Sequence, residues 1–331
     1  VLDVLLVTFP FFALVLCGYI AAWRRMLPLE AIGGLNSFVL YFALPCLLFR
    51  FGASTPIAQL LDGAAIAVYL VCALVLVGFV VAASMNRRIG WNDASFGALV
   101  AAFPNTGFMG VPLLVALLGA AAAGPAILTI LVDLLVTSSL CIALSRLDGG
   151  AAGTGGRPAG PTARVAAKNA LKGVALNPMP WAILLGGVAS ALQLEPIKPV
   201  AQTVALLADA ASPVALFTIG AVLARSQLMA AQRVGARVAM PLRDYVPVAA
   251  IKLLVHPLLV LVVGVAAISL GLPLDKFALK VMVLVAALPS ASNVSVLAER
   301  FGADTGRIAR IILLTTAAAF LTFSGAVALL R

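Results

Sequence analysis

AAFPNTGFMGVP, residues 101–112, and AALPSASNVSVL, residues 286–297, decide the fold. Each sets a proline and a cluster of small amide or hydroxyl residues in the middle of a long apolar run. Proline removes a backbone donor and clashes with the preceding turn, so each run predicts a membrane helix interrupted at mid-depth. One kink means little, since Pro and Gly are tolerated in membrane helices. Two interruptions at corresponding positions of the two halves are far more specific, and they are the sequence trace of an inverted repeat.

The apolar character extends outward over almost the whole chain. Of 331 residues, 63% are hydrophobic and only 10% charged, with a mean hydropathy of +1.15, too little polar surface to coat a water-soluble body of this length. A spanning helix takes about 20 apolar residues. Ten stretches meet that length: 3–23, 33–51, 63–85, 94–118, 125–146, 177–193, 200–224, 245–270, 276–299 and 307–330. The first is followed by Trp23, Arg24 and Arg25, the reverse of a signal peptide, whose positive charge comes before its apolar segment, so it reads as a retained membrane helix. The second and seventh stretches are paired as well, each with one central proline, Pro45 and Pro213.

Residues 148–161, DGGAAGTGGRPAGP, are rich in Gly and Pro without apolar periodicity and read as a flexible linker. The expected organisation is a first five-helix repeat over 1–147, a cytoplasmic linker over 148–176 and a second repeat over 177–331. An odd number of spans per half turns the second half upside down relative to the first. The predicted fold class is an all-α polytopic membrane protein: ten transmembrane helices in two inverted five-helix repeats, with broken crossing helices four and nine.

The net charge of +10 follows from topology. The odd-numbered loops carry 16 of the 22 Lys and Arg, the even loops and termini 5, and Lys252 lies inside a span. Cytoplasmic loops retain positive charge, so both termini are expected on the periplasmic or extracellular side of a bacterial inner membrane. The basic residues form no stripe or face, which excludes a nucleic-acid partner. Cys17, Cys46, Cys72 and Cys141 each lie within apolar runs without CxxC spacing and read as small packing residues, with no metal and no cofactor implied. The chain has no HExxH, no GxSxG, no Walker lysine loop and a single histidine, so an enzyme is not expected.

Chemistry is expected at the two interruptions. Where Pro104 removes a donor and Gly107 relaxes the chain, free N–H and C=O groups face the bundle interior, and Pro289 does the same in the ninth span. The N-terminal end of each following half-helix carries partial positive charge, with Asn105, Thr106, Ser290, Ser292 and Asn293 offering hydrogen bonds beside it. Inversion brings the breaks together near the midplane, where these groups suit a small organic anion such as a carboxylate. The bland reading of the same residues, and of Ser295, is polar glue between helices.

Asp133, Asp209, Lys252 and His256 are the ionisable residues within spans, and intramembrane charge is costly enough to suggest function. Asp209, one turn before Pro213 and isolated at depth, is the stronger candidate for coupling to a cation, H+ or Na+, with Asp133 second. Lys252 and His256, four apart, share a helix face and provide either an anion contact or a proton site; alternatively Lys252 snorkels to the cytoplasmic surface and His256 bonds locally.

PNTGFMGVPLL from Pro104, LPSASNVSVLAERFGAD from Leu288 and FVLYFALPCLLF from Phe38 together resemble the auxin efflux carrier family, in the bacterial branch that includes malonate transporters. The resemblance runs over essentially the whole chain. It implies a scaffold part and a transport part, elevator-like alternating access, and a substrate carboxylate held near the crossover by asparagines that match Asn105 and Asn293. It also implies a small mono- or dicarboxylate substrate and, from the plant members, a homodimer through the scaffold helices. The linker here is short, so regulation through a long cytosolic loop is not carried over. The rival reading is an uncoupled uniporter or channel-like efflux protein of the same fold for another organic acid.

Overall fold

A computed structural model of the chain describes residues 2–55, 62–147, 178–194, 196–232 and 241–330. The expected linker over 148–176 and the loop cations Arg157, Arg164, Lys168, Lys172, Arg233 and Arg237 lie outside the described residues, as does Arg331.

Within them the chain is helical: α1 (Leu2–Trp23), α2 (Ala31–Ser54), α3 (Gly63–Ser84), α4 (Trp91–Ala102), α5 (Thr106–Leu118), α6 (Ala120–Leu144), α7 (Pro178–Ala191), α8 (Lys198–Gln232), α9 (Val246–Ser269), α10 (Lys276–Ala286), α11 (Asn293–Arg300) and α12 (Thr305–Leu329). Among the described residues seven of these are long and apolar enough to cross a bilayer: α1, α2, α3, α6, α8, α9 and α12. The other three expected stretches behave differently. Residues 94–118 and 276–299 each resolve into two shorter helices, and 177–193 folds as the 14-residue α7.

Helix starts account for much of the acid. Asp62 accepts from the Ala64 and Ala65 N–H groups at 2.9 and 3.1 Å, Asp275 from Ala278 at 2.9 Å and Asp304 from Arg307 at 3.0 Å. Each satisfies donors that a helix leaves open and places negative charge at the positive end of the dipole. At the far end of α9, Gly271 takes φ +88°, and the Leu272 N–H reaches back to Ala267 at 2.9 Å to close the helix.

Two packing groups form. In the first, α1 lies along α8 and α2 lies along α7 and α8 at backbone contact. A methyl group on Gly18 would fall on the carbonyl of Phe217, one on Gly220 on the carbonyl of Val15, and Gly52 and Gly186 stand in the same relation across α2 and α7. Small residues that let backbones touch replace, in lipid, the hydrophobic drive available in water. In the second group α4 and α10 are enclosed by α3, α6, α9, α11 and α12, while α5 packs against α6 and against α1, α2 and α8 of the first group. Every residue from Ala94 to Ala102 is buried, as is Val281–Ala287, the mark of helices that face protein all round. Leu254, Leu258, Leu184, Leu185 and Phe9 face outward as large exposed apolar side chains, a surface that suits lipid.

At the end of this second group where α4 and α12 begin, Arg307 is buried. Its Nε donates to the Asp244 carbonyl and its Nη1 to the Asp93 carbonyl, both at 2.7 Å. A Cβ on Gly97 would stand 2.7 Å from Nη1, so the glycine leaves the guanidinium its place. One side chain thereby ties the starts of α4, α9 and α12 together.

Candidate functional site

The helical run of α4 stops at Ala102 and that of α10 at Ala286. Pro104 lacks an N–H and cannot continue the ladder. Asn105 takes φ −78°, ψ 53°, and the Thr106 N–H closes onto the Pro104 carbonyl at 2.8 Å, an inverse γ-turn centred on Asn105. The two non-helical segments then bond to each other. The Asn105 N–H donates to the Pro289 carbonyl at 2.8 Å and the Ala291 N–H to the Phe103 carbonyl at 3.0 Å, an antiparallel bridge of Pro104 with Ser290. Backbone groups that would be costly orphans at this depth thus satisfy one another.

Helices resume at Thr106 and Asn293, and neither start receives a side-chain cap. Two helix N-termini without side-chain caps therefore flank the bridge, their Thr106, Val294 and Ser295 N–H groups bonded to backbone carbonyls, with the positive ends of their dipoles turned to it. The Thr106 hydroxyl, the Ser290 hydroxyl and Asn293 Oδ1 are buried and without hydrogen-bond partners. Buried polar atoms are nearly always paired, so three such atoms around one bridge point to a polar ligand.

A cavity lies against the bridge, lined by Phe103, Pro104, Asn105, Thr106, Gly107, Phe108, Ala291 and Asn293, by Ile130, Asp133 and Leu134 of α6, and by Leu44 and Met179 from the glycine-packed group. It opens at the boundary between the two packing groups. Its free space is ≈ 30 Å³, room for one or two waters. Pro104, Asn105, Thr106, Gly107 and Asn293, candidates for binding the anion, all line this cavity, and so does Asp133, a candidate for coupling. Pro289, Ser290 and Ser292 do not line the cavity: Pro289 supplies the bridging carbonyl, the Ser290 N–H lies 3.3 Å from Thr315 Oγ1, and the Ser292 carbonyl accepts from Ser295 Oγ at 2.7 Å.

The ionisable residues separate. Asp133 is buried and opens a widened π-turn, Asp133–Thr137, in α6. It accepts from Tyr69 Oη and from Thr137 Oγ1, both at 3.0 Å, while the Ser138 hydroxyl satisfies its carbonyl at 2.7 Å. Lys252 and His256 are fully buried too, and Lys252 Nζ stands 3.0 Å from His256 Nδ1 and donates to the Ala286 carbonyl at 2.8 Å. Lys252 therefore does not snorkel. Asp209 is not isolated: it pairs with Arg50 at 2.7 Å, with side-chain exposures of 68% and 38%, and it is absent from the cavity wall. A basic partner already answers its charge, and geometry puts Asp133, not Asp209, at the site.

Sequence reasoning missed Tyr69, Thr137, Leu44 and Met179. A tyrosine amid the apolar run of α3 was a readable signal, because a buried phenol seeks a hydrogen-bond partner; the apolar wall carried none.

Comparison with known proteins gives two findings. The model of the family described as Membrane transport protein matches residues 4–153 and 157–327. A protein of Rhizobium meliloti (strain 1021) named "Putative malonate transporter" is 31% identical over 323 residues, covering 97% of this chain and 94% of the relative.

Proposed function

From a chain that belongs to the Membrane transport protein family, the auxin efflux carriers of its motif resemblance, we propose a secondary transporter that carries a small carboxylate, of the malonate or malate type, across the bacterial inner membrane. The multi-pass membrane protein is read as ten spans in two inverted five-helix repeats, with α4–α5 and α10–α11 as broken crossing helices and both termini outside. The glycine-packed α1, α2, α7 and α8 serve as scaffold, and the remaining helices as the transport part.

One observation carries the reading: the backbone bridge of Pro104 with Ser290, beside which Asn105, Asn293 and two uncapped helix starts surround one cavity. Neutral donors and helix dipoles hold a carboxylate while leaving it free to depart. The cavity's walls come from both packing groups, Leu44 and Met179 on one side and the non-helical segments with α6 on the other, an arrangement that supports an elevator-like displacement of one group along the other. The named relative supports malonate as the first substrate to try.

The test is uptake of labelled malonate into proteoliposomes under a proton gradient, a sodium gradient or neither, with unlabelled acids as competitors. Saturable uptake with counterflow is the expected result. Conductance rising linearly with malonate concentration would replace the carrier with a pore, and no uptake or competition by any acid would remove the anion site.

A further inference from the structure

Lys252 sits wholly within the protein, on a helix whose other side is apolar and exposed. A cation at membrane depth is costly unless something holds it. Its first partner is the Ala286 carbonyl, 2.8 Å away. Ala286 is the last residue of α10, and in an unbroken helix its carbonyl would receive the N–H of Ser290. That N–H instead lies 3.3 Å from Thr315 Oγ1. Lys252 thus takes an acceptor orphaned by the break, at the helix end where the dipole is negative.

Its second partner is His256 Nδ1 at 3.0 Å. An ammonium only donates, so Nδ1 accepts and a neutral imidazole carries its proton on Nε2. The Tyr69 ring centre lies 6.3 Å from that of His256, and its hydroxyl donates to Asp133, which lines the cavity. Side chains from α3, α6 and α9 therefore line up from the cavity to the orphaned carbonyl, joined by hydrogen bonds except at the ring contact of Tyr69 with His256, whose Nε2 is buried without a partner. Carbonyls freed at half-helix C-terminal ends are the groups that coordinate Na+ in carriers built on broken helices.

We propose that Lys252 is a resident cation: its ammonium fills the position at the Ala286 carbonyl that an alkali cation would otherwise take, so anion transport by this chain requires no external alkali cation. The proposal rests on the anion-site reading above, and it makes Lys252 a positioning residue for the break and for Asp133.

The test compares the full chain with Lys252→Ala, which leaves space for a cation, and Lys252→Met, which fills that space without charge. Wild-type malonate uptake is expected at the same rate in sodium, potassium or N-methylglucamine media. Both variants lose uptake at least about tenfold, the scale for removing one partner from a buried charged network. Methylammonium restores Lys252→Ala but not Lys252→Met. Independently of transport, methylammonium raises the thermal midpoint of Lys252→Ala and leaves that of the wild type unchanged. Wild-type uptake that stops without sodium, full uptake by Lys252→Met, or no stabilisation of Lys252→Ala by methylammonium overturns the proposal. Stabilisation of Lys252→Ala by methylammonium, in a protein that takes up no acid in any medium, retires the substrate and leaves the resident cation standing.

Discussion

The contact of α1 with α8 and the contact of α4–α5 with α10–α11 are both intimate, but they are made in opposite ways. The first is close-packed, with its polar side chains paired: Gly18 and Gly220 bring carbonyls of the partner helix to where a side chain would begin, and Tyr19 Oη donates to Gln227 at 2.6 Å. The second is polar and incompletely satisfied, two backbone hydrogen bonds beside three buried side-chain atoms without partners. Close packing tolerates no added volume, whereas unpaired polar atoms raise the energy of an empty site and favour whatever ligand satisfies them. The first contact is built for close packing, and the second is the one that the proposed function uses for recognition.

The strongest way to break this division is Gly220→Leu, which drives a branched side chain into the Val15 carbonyl. Its expected cost is about 3 kcal/mol or more, the upper range for overpacking, read as a fall in thermal midpoint and loss of a monodisperse peak in detergent. Wild-type stability would mean that α1 and α8 can part, and the close-packed contact would lose its role.

Next comes the polar region. Asn105→Ala and Asn293→Ala should leave the midpoint near that of the wild type and weaken malonate binding by about 10- to 100-fold each, the worth of a hydrogen bond to a charged group. Calorimetric titration of the purified protein measures it. Unaltered binding in both variants moves the anion away from the bridge.

The smallest effect is expected of an ion pair away from the cavity. Arg50 and Asp209 answer each other's charge at 2.7 Å, and neither lines the cavity. Asp209→Asn and Arg50→Gln should therefore leave gradient-driven uptake almost unchanged. Abolition of driven uptake by Asp209→Asn, with exchange intact, would return coupling to α8 and redraw the division.

Much of this was readable in the residues. Pro104 and Pro289 announced two interruptions because proline's missing donor acts locally, whatever the surroundings. The apolar runs announced spans for the same reason of locality. The partners of those interruptions were not readable: that Asn105 donates to Pro289, and Ala291 to Phe103, depends on two segments more than 180 residues apart meeting in one register, and backbone groups carry no residue-specific signature. The partners of the charges were not readable either. Asp209 and Asp133 look alike in sequence, each one acid in an apolar run, and only packing gives one an exposed arginine and the other a buried tyrosine. Lys252 could have reached water by length alone; what holds it inside is a carbonyl released 34 residues later.

The bridge of Pro104 with Ser290 has a mechanical consequence. A splice made from main-chain atoms on both sides cannot be cut by exchanging side chains, except by proline at Asn105 or Ala291, where the donated hydrogen disappears. It therefore acts as a rivet: whatever translation or tilt one interrupted helix undergoes, the other shares. Under the proposed function, a ligand held from both sides of the rivet would meet a single rigid piece and not two.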